Sequence, residues 1–368
     1  MKIPFLSFAP QHAPIKAEMV AAFEKVYDSY WYILGQAVTG FEKEYAAFSH
    51  TKYCVGLSNG LDALYLSLKA LGIREGDEVI VPSNSYIATL LAVTYTGATP
   101  VLVEPDQRTY NLDPSKIAAA ITERTKAIMP IHLYGQACDM ESILAVANEH
   151  NLYVVEDNAQ SHGATFKGRI TGSWGNINGT SFYPGKNFGA LGDAGAVTTN
   201  DEALAMKVAT LRNYGSAKKY YNEVIGHNMR LDELQAGLLS VKLKYLPAWT
   251  EQRKELANWY HEVLQGIPEL VLPFTHPDAT HVYHLYVVRT EKRDALQQHL
   301  TEKGIGTMIH YPVPPHLQQA YQTLGFKKGD FPIAEKLADT SLSIPLWPGM
   351  TKAMVSEVAD GFKSFFRK

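Results

Sequence analysis

A lysine and an aspartate each follow a strand-like segment, and their side chains are of types that could act together in catalysis. Lys186 lies in SFYPGKNFG (181–189), a stretch rich in glycine, and Asp157 ends the apolar run of VVEDNAQ (154–160). A single lysine is usually a surface residue, and a single aspartate usually caps a helix or faces solvent. If both residues stand at the carboxyl ends of strands in one sheet, they instead predict a shared site, because ligands bind at that edge.

Pyridoxal 5′-phosphate is a cofactor that requires both groups. Its aldehyde forms a Schiff base with a lysine, and its pyridine nitrogen needs a neighbouring anion to stay protonated. The turn SNGLDAL (58–64) offers a phosphate site, because Gly60 permits close approach and a helix N-terminus presents free N–H groups. Most such turns only cap a helix, but Ser181 could add a hydroxyl here. Tyr86, after another strand-like run, either stacks on the cofactor ring or packs in the core.

Strand-like and helix-like segments alternate from about residue 50 onwards. Apolar runs predict strands at 52–58, 79–83, 99–106, 125–135 and 152–160. Helical periodicity predicts the intervening helices at 61–73, 87–98 and 141–151. This order predicts an α/β fold whose mostly parallel central sheet is covered by helices on both faces.

The pattern changes after about residue 230. A long amphipathic helical stretch (230–264) is broken at Pro247, and a few strands and helices follow, including a strand at 281–290. We therefore predict a large cofactor-binding domain at 1–245 and a smaller C-terminal α+β domain at 246–368.

Composition narrows the class of protein. The 368 residues include 34 Lys and Arg against 37 Asp and Glu, a net charge of −3, which predicts no nucleic-acid or anionic membrane partner. Two cysteines are too few for a disulfide scaffold, and the 13 histidines show no metal-ligand spacing. No signal peptide or membrane span is recognisable, so we expect a cytoplasmic enzyme without a metal.

Three segments resemble the nucleotide-sugar aminotransferases of the DegT/DnrJ/EryC1/StrS family: VVEDNAQSHGA, TSFYPGKNFGALGDAGAVTTND and RLDELQAG. The resemblance extends over nearly the whole chain. It implies the aspartate-aminotransferase-type fold of fold type I pyridoxal phosphate enzymes, and a homodimer with two active sites at the subunit interface. Leu61 stands where many relatives have threonine, which is harmless if the contact is made by the backbone N–H.

The resemblance also implies roles for single residues. Lys186 would bind the cofactor covalently and act as general base and acid, and Asp157 would pair with the pyridine nitrogen. The other implied cofactor contacts are Gln160 at the phenolic oxygen, Tyr86 on the ring, Gly60, Leu61 and Ser181 at the phosphate, and Asn228 at the phosphate of the neighbouring subunit. Candidate substrate contacts are Tyr183, His310 and Tyr311 near the sugar and Lys219 at the pyrophosphate. Arg230 either binds the donor carboxylate or pairs with a nearby acidic residue.

The implied reaction is transamination from L-glutamate to a ketosugar carried on dTDP or UDP. NGLDALYLSL, PSNSYIATLLAV and VEPDQRTYNLDP most resemble the branch that acts on dTDP-3-keto-6-deoxyhexoses. A 4-aminotransferase for a dTDP- or UDP-4-keto-6-deoxyhexose is the alternative. A non-catalytic regulatory or binding protein on the same fold is another. Sugar dehydratases of this family have histidine in place of the lysine, so Lys186 argues against that activity. Lipopolysaccharide O-antigen, S-layer glycan and antibiotic pathways all use such aminosugars.

Overall fold

The computed structural model describes residues 2–366. The α-helices within this range are α1 (Ala9–His12), α2 (Lys16–Tyr27), α3 (Gln36–Phe48), α4 (Gly60–Ala70), α5 (Ile87–Tyr95), α6 (Met140–Glu149), α7 (Glu202–Leu211), α8 (Glu233–Leu243), α9 (Leu246–Leu264), α10 (Arg293–Glu302), α11 (Pro332–Thr340) and α12 (Lys352–Phe366). The strands are β1 (Tyr53–Leu57), β2 (Glu78–Pro82), β3 (Thr99–Val103), β4 (Thr125–Ile128), β5 (Tyr153–Asp157), β6 (Thr165–Phe166), β7 (Arg169–Ile170), β8 (Ile177–Ser181), β9 (Gly195–Thr199), β10 (Tyr286–Arg289) and β11 (Ser341–Ile344). None of the helices in this part of the chain is long and apolar enough to span a membrane.

Seven strands form the central sheet in the order β1-β9-β8-β5-β4-β2-β3. Each strand pairs in parallel with the next in the series β8, β5, β4, β2 and β3. Strand β9 runs antiparallel to both of its neighbours, so β1 points the same way as β8. The predicted mostly parallel sheet is confirmed, and its first five strands are those that the apolar runs predicted. The carboxyl ends of β1, β2, β5 and β8 therefore meet at one edge of the sheet.

Helix α4 carries the turn after β1 against the sheet. Asn59 caps it, because its side-chain oxygen accepts a hydrogen bond of 2.8 Å from the backbone N–H of Asp62. Leu64, Leu66 and Leu68 are buried, and the helix packs against β8 and β9. Gly179 in β8 permits this close approach, since a Cβ there would lie 2.7 Å from Cδ2 of Leu64. The N-terminus of α4 is thus held at the carboxyl edge of the sheet.

The C-terminal part of the chain forms its own core around β10 and β11, an antiparallel pair. The long helical stretch predicted at 230–264 is divided into α8 and α9, and Pro247 lies in the first turn of α9. Buried side chains of α9, β10, β11 and α12 pack together, and Ile3 joins them. We propose that the domain boundary lies near residue 245, where α8 ends, with the first residues of the chain attached to the C-terminal domain.

Candidate active site

A cavity of about 960 Å³ opens at the carboxyl edge of the central sheet. It is lined by ten of the residues predicted from the sequence: Gly60, Leu61, Tyr86, Asp157, Gln160, Ser181, Tyr183, Lys186, His310 and Tyr311. These residues come from the ends of β1, β5 and β8, from the start of α5 and from the C-terminal domain. The topology therefore brings the separate sequence motifs together at one site.

Lys186 lies on the loop after β8, and its half-buried side chain faces the cavity. Its backbone N–H donates a hydrogen bond of 2.9 Å to the carbonyl of Tyr183, which tightens the turn. Burial lowers the pKa of Lys186 to about 8, and the nearby carboxylate of Asp157 partly opposes that shift. A substantial fraction of the amine is therefore neutral near physiological pH, as a nucleophile or base requires.

The Lys186 loop is anchored from the C-terminal half of the chain. The side-chain amide of Asn187 donates a hydrogen bond of 2.9 Å to the carbonyl of Val282. The buried amine of Lys242 donates to the carbonyl of Gly189. A Cβ on Gly189 would lie 2.4 Å from the carbonyl oxygen of Pro184, so this glycine allows the loop to fold onto itself. The glycine thus shapes the loop that holds the lysine.

Asp157, the last residue of β5, is buried and held by two hydrogen bonds. Its Oδ2 accepts from the hydroxyl of Thr89 at 3.1 Å, and its Oδ1 accepts from the backbone N–H of Ala159 at 3.1 Å. Burial raises its pKa, and the Ala159 N–H and the charge of Lys186 oppose this rise. The carboxylate has a fixed orientation in the cavity wall, as an anion beside a pyridinium nitrogen would need.

Glu156 precedes Asp157 but serves the opposite face of the sheet, because successive strand side chains alternate. Its carboxylate accepts hydrogen bonds from the backbone N–H groups of Gly172, Trp174 and Gly175 at 2.6–2.9 Å. Its Oε2 also lies 2.8 Å from Nε2 of His132. These contacts make Glu156 a structural residue, and leave Asp157 as the carboxylate of the cavity.

Gln160 and the aromatic residues form another wall. The side-chain oxygen of Gln160 accepts a hydrogen bond of 2.6 Å from the N–H of Tyr134, and its amide donates to the hydroxyl of Tyr311 at 3.3 Å. The rings of Tyr86 and Tyr311 lie 5.2 Å apart between their centroids. Tyr86 is 54% exposed, which excludes the core-packing interpretation of this residue and leaves its ring facing the cavity.

The start of α4 and the end of β8 form a pocket for an anion. A Cβ on Gly60 would lie 2.5 Å from Cβ of Ser181, so only glycine lets the two segments approach this closely. The N–H groups of Gly60 and Leu61 have no hydrogen-bond acceptor within residues 2–366. Free N–H groups, the helix dipole and the hydroxyl of Ser181 suit a phosphate. The Leu61 contact would use the backbone, so its apolar side chain is compatible with this site.

His310 and Tyr311 close the cavity from the C-terminal domain. Nδ1 of His310 lies 2.8 Å from the hydroxyl of Ser343, and the hydroxyl of Tyr134 donates to the His310 carbonyl. Burial and, to a smaller extent, the charge of Lys186 lower the pKa of His310 to about 4. The imidazole is therefore neutral at physiological pH and can accept or donate a hydrogen bond to a substrate hydroxyl.

Two predicted contacts, Asn228 and Lys219, lie outside this cavity. Asn228 is exposed and pairs with the backbone of Asn213, while the amine of Lys219 lies 5.1 Å above the ring of Tyr220. Arg230 also lies outside: its Nη1 donates to the side chain of Asn213 at 3.1 Å. Among residues 2–366, Arg230 forms no ion pair with a nearby acidic residue, and its binding of the donor carboxylate stays a prediction.

Thr89, Arg253 and His284 line the cavity but were not selected from the sequence. Thr89 lies on α5, three residues after Tyr86, so the helical period could have indicated it. Arg253 and His284 come from α9 and a later loop, and no spacing rule connects them with Lys186. In the described part of the chain, no three His, Cys, Asp or Glu side chains are grouped to hold a metal ion.

The side chains present fit pyridoxal phosphate. A lysine with a lowered pKa, a fixed carboxylate, an accessible aromatic ring and an anion pocket surround one cavity. Each matches one functional group of the cofactor: the aldehyde, the pyridine nitrogen, the ring face and the phosphate.

Comparisons with known proteins agree with this geometry. The DegT/DnrJ/EryC1/StrS aminotransferase family matches residues 13–363. A protein of Aneurinibacillus thermoaerophilus named dTDP-3-amino-3,6-dideoxy-alpha-D-galactopyranose transaminase is 51% identical over 363 residues, with 99% of each chain covered. A protein of Saccharopolyspora erythraea named erythromycin biosynthesis sensory transduction protein EryC1 is 48% identical over 364 residues, covering 99% of this chain and 100% of the other.

A solved structure shows the same fold. The X-ray crystal structure of S. venezuelae DesV in complex with a ketimine intermediate superposes with a TM-score of 0.98 at 46% identity. The match covers 100% of this chain and 99% of DesV. The likeness confirms the predicted α/β fold of a sugar aminotransferase.

Proposed function

The chain belongs to the DegT/DnrJ/EryC1/StrS aminotransferase family, and we propose that it transfers the amino group of L-glutamate to a dTDP-linked 3-keto-6-deoxyhexose. The products are 2-oxoglutarate and a dTDP-3-amino-3,6-dideoxyhexose. It is a sugar aminotransferase that depends on pyridoxal phosphate, the cofactor of this family. The observation that carries the activity is the joint presence of Lys186, Asp157 and the free N–H groups of α4 in one cavity.

We propose the following roles for this chain's residues. Nζ of Lys186 takes the proton from the α-carbon of the donor and later delivers a proton to the sugar carbon that receives the amine. The carboxylate of Asp157, oriented by Thr89, stabilises positive charge on the pyridine nitrogen. Gly60, Leu61 and Ser181 hold the phosphate. The bound cofactor supplies an electron sink and carries the amino group between the two substrates.

The choice of a 3-keto sugar rests on the relative from A. thermoaerophilus, whose name specifies a 3-amino-3,6-dideoxyhexose product. We propose that Tyr183, His310 and Tyr311 contact the hexose, since they border the cavity beside Lys186. The 4-aminotransferase remains the alternative, because residues near the sugar decide which carbon is aminated and the fold does not. The name of the S. erythraea relative favours a regulatory protein, but the joint presence of Lys186, Asp157 and the anion pocket in one cavity argues for catalysis.

A direct test compares the two ketosugars. Purified holoenzyme would be supplied with L-glutamate and either dTDP-3-keto-6-deoxyhexose or its 4-keto isomer, and release of 2-oxoglutarate would be followed. Mass spectrometry and NMR would identify the aminated carbon. Turnover of the 3-keto sugar alone supports the proposal. Selective turnover of the 4-keto sugar overturns the choice of carbon, and cofactor binding without turnover of either would favour the regulatory alternative.

We also propose a homodimer whose subunits share their active sites. Two segments, 27–33 and 214–225, carry many exposed aromatic and aliphatic side chains, and we propose that they form one apolar surface. Ile33, at the end of the first segment, pairs with Asp232, a few residues after the second. Ile225 is 93% exposed, an unusual position for a large apolar side chain in a monomer. Lys219 and Asn228 lie in or next to this surface, and we propose that they reach the partner's cavity.

Mixing two inactive variants tests the shared site. Lys186→Ala and Asn228→Ala dimers would be mixed under conditions that exchange subunits. If Asn228 serves the partner's site, each hybrid dimer has one intact site, and activity should recover to about a quarter of wild type. If Asn228 serves its own chain, both sites of the hybrid stay defective and no recovery occurs. Light scattering would establish the oligomeric state of each preparation.

A further inference from the structure

A buried arginine of the cavity has unused hydrogen-bonding capacity. Arg253 on α9 is 2% exposed and lines the cavity. Its Nη1 donates to the carbonyls of Tyr283 and Leu346, both at 3.1 Å. Its Nε is buried and has no hydrogen-bond partner within residues 2–366. The edge formed by Nε and Nη2 is one of the two edges of a guanidinium that can bind a carboxylate through two parallel hydrogen bonds.

The positive charge of Arg253 lacks an anion. Two other buried arginines are paired: Nη1 of Arg212 lies 2.5 Å from a Glu42 oxygen, and Nε of Arg293 lies 2.5 Å from an Asp294 oxygen. Arg289 is buried and, like Arg253, forms no ion pair within residues 2–366, but it does not line the cavity. No such ion pair is formed by Arg253 in the described chain, and burial alone lowers its pKa, to about 10. An unpaired buried charge is costly unless an anion joins it, so the site favours a ligand with negative charge.

The arginine is connected to the reacting lysine by a short series of contacts. Tyr283, whose carbonyl accepts from Arg253, precedes His284 in the chain. Nδ1 of His284 lies 3.3 Å from the side-chain oxygen of Asn187, the residue after Lys186. Arg253, His284 and Lys186 all line the same cavity. A negative group bound by Arg253 would therefore lie in the same cavity as Nζ of Lys186.

Of the two proposed substrates, the amino donor brings a carboxylate to this position. The α-carboxylate of L-glutamate is one bond from the carbon that loses its proton, whereas the hexose ring has no anionic group beside its keto carbon. We infer that the guanidinium of Arg253 binds the α-carboxylate of the amino-acid donor. The inference rests on the proposed transamination, and it replaces Arg230, which lies outside the cavity, as the donor-binding arginine.

The two halves of the reaction separate this role from a structural one. Arg253→Lys and Arg253→Gln would be compared with wild type in two single-turnover reactions: the pyridoxal phosphate form of the enzyme with L-glutamate, and the pyridoxamine phosphate form with the ketosugar. Loss of charged hydrogen bonds to the carboxylate should raise the L-glutamate concentration for half-maximal rate at least about 30-fold in the glutamine variant. The ketosugar half-reaction should change by less than about threefold, because its substrate has no carboxylate there.

Arg293→Gln is the matched control. Arg293 is also a buried arginine of the C-terminal domain, and its Nη1 donates to two backbone carbonyls, those of Ala338 and Ser341. It does not line the cavity. This variant should lose stability without a selective effect on either half-reaction. If Arg253→Gln fails to fold, Arg253→Lys keeps the charge and tests the loss of the two-bond geometry alone.

A second donor provides an independent readout. 4-Aminobutyrate has the amine and distal carboxylate of glutamate but lacks the α-carboxylate. Wild type should strongly prefer L-glutamate, and the Arg253 variants should lose most of that preference. Equal losses in both half-reactions, or an unchanged preference between the two donors, would overturn the inference. A wild-type enzyme that accepts no amino-acid donor would instead refute the proposed function itself.

Discussion

The lowered pKa of Lys186 gives a prediction that is independent of the sugar. With a pKa of about 8 in place of 10.5, about 9% of the amine is neutral at pH 7, against about 0.03% for an ordinary lysine. Cofactor-free protein should therefore bind the cofactor aldehyde about 300-fold faster at pH 7 than an unperturbed lysine would. The rate should rise with pH and level off above about pH 8.

Asp157→Asn should lower the midpoint of this pH dependence, which is the pH at which the rate of cofactor attachment reaches half of its maximum. The carboxylate favours the charged form of Lys186 and opposes the effect of burial, so its removal leaves burial unopposed. Attachment of the cofactor at pH 7 should become faster, while the attached complex becomes less active. Thr89→Val is the control, because it removes the 3.1 Å hydrogen bond to Asp157 and keeps the charge. The midpoint of this control should stay near that of wild type.

Stopped-flow absorbance after mixing cofactor-free protein with pyridoxal phosphate, between about pH 6 and pH 10, measures the midpoint. Borohydride reduction and mass spectrometry would establish that Lys186 is the residue modified. A wild-type midpoint near 10.5, or an upward shift in Asp157→Asn, would refute the reasoning, because either result means that burial does not control the ionisation of this lysine.

Three further predictions concern stability. Gly60→Ala should lower the free energy of unfolding by about 1–3 kcal/mol, because its methyl would lie 2.5 Å from Cβ of Ser181. Thermal unfolding would measure this loss, and adding Ser181→Gly should restore most of it. Gly40→Ala, in α3 with open space around it, should stabilise the protein by about 0.5–1 kcal/mol in the same assay; a loss would show that the position is crowded. Burial lowers the pKa of His162 and His281 to about 3. Each histidine is protonated more easily in the unfolded chain, so each should lower the free energy of unfolding by about 2 kcal/mol when the pH falls from 7 to 5. Urea denaturation at the two pH values should show this fall, and His162→Asn should reduce it; equal stability at both pH values would contradict the assignment.

Much of the fold could be predicted because the relevant signals are local. Strands β1 to β5 are short apolar runs between helical periods, and parallel strands buried on both faces must have that composition. The cofactor lysine and aspartate could be paired because parallel strands align their carboxyl ends. Period-2 alternation could also have separated Asp157 from Glu156, since only one of two adjacent strand residues faces a given side.

Other parts depend on contacts between distant segments, which no local pattern encodes. The sequence interpretation omitted helices α1 to α3. It noted that the segment around Lys186 is rich in glycine. In the structure Gly179 allows α4 to pack on β8, and Gly189 lets the loop fold onto its own backbone. The backbone around the lysine is close-packed mainly against protein, and Gly60 is the glycine that shapes the anion pocket.

The C-terminal domain contributes to the site as well as the lysine loop. Asn187 binds the carbonyl of Val282 in the C-terminal domain, so a segment far along the chain helps to fix the direction of Lys186. Arg253 joins the same cavity from α9, held by the carbonyls of Tyr283, just before β10, and Leu346, just after β11. The large domain thus supplies the groups suited to the cofactor, and the C-terminal domain supplies the cation suited to a donor carboxylate. A substitution in the C-terminal domain can therefore change donor use while leaving cofactor attachment intact.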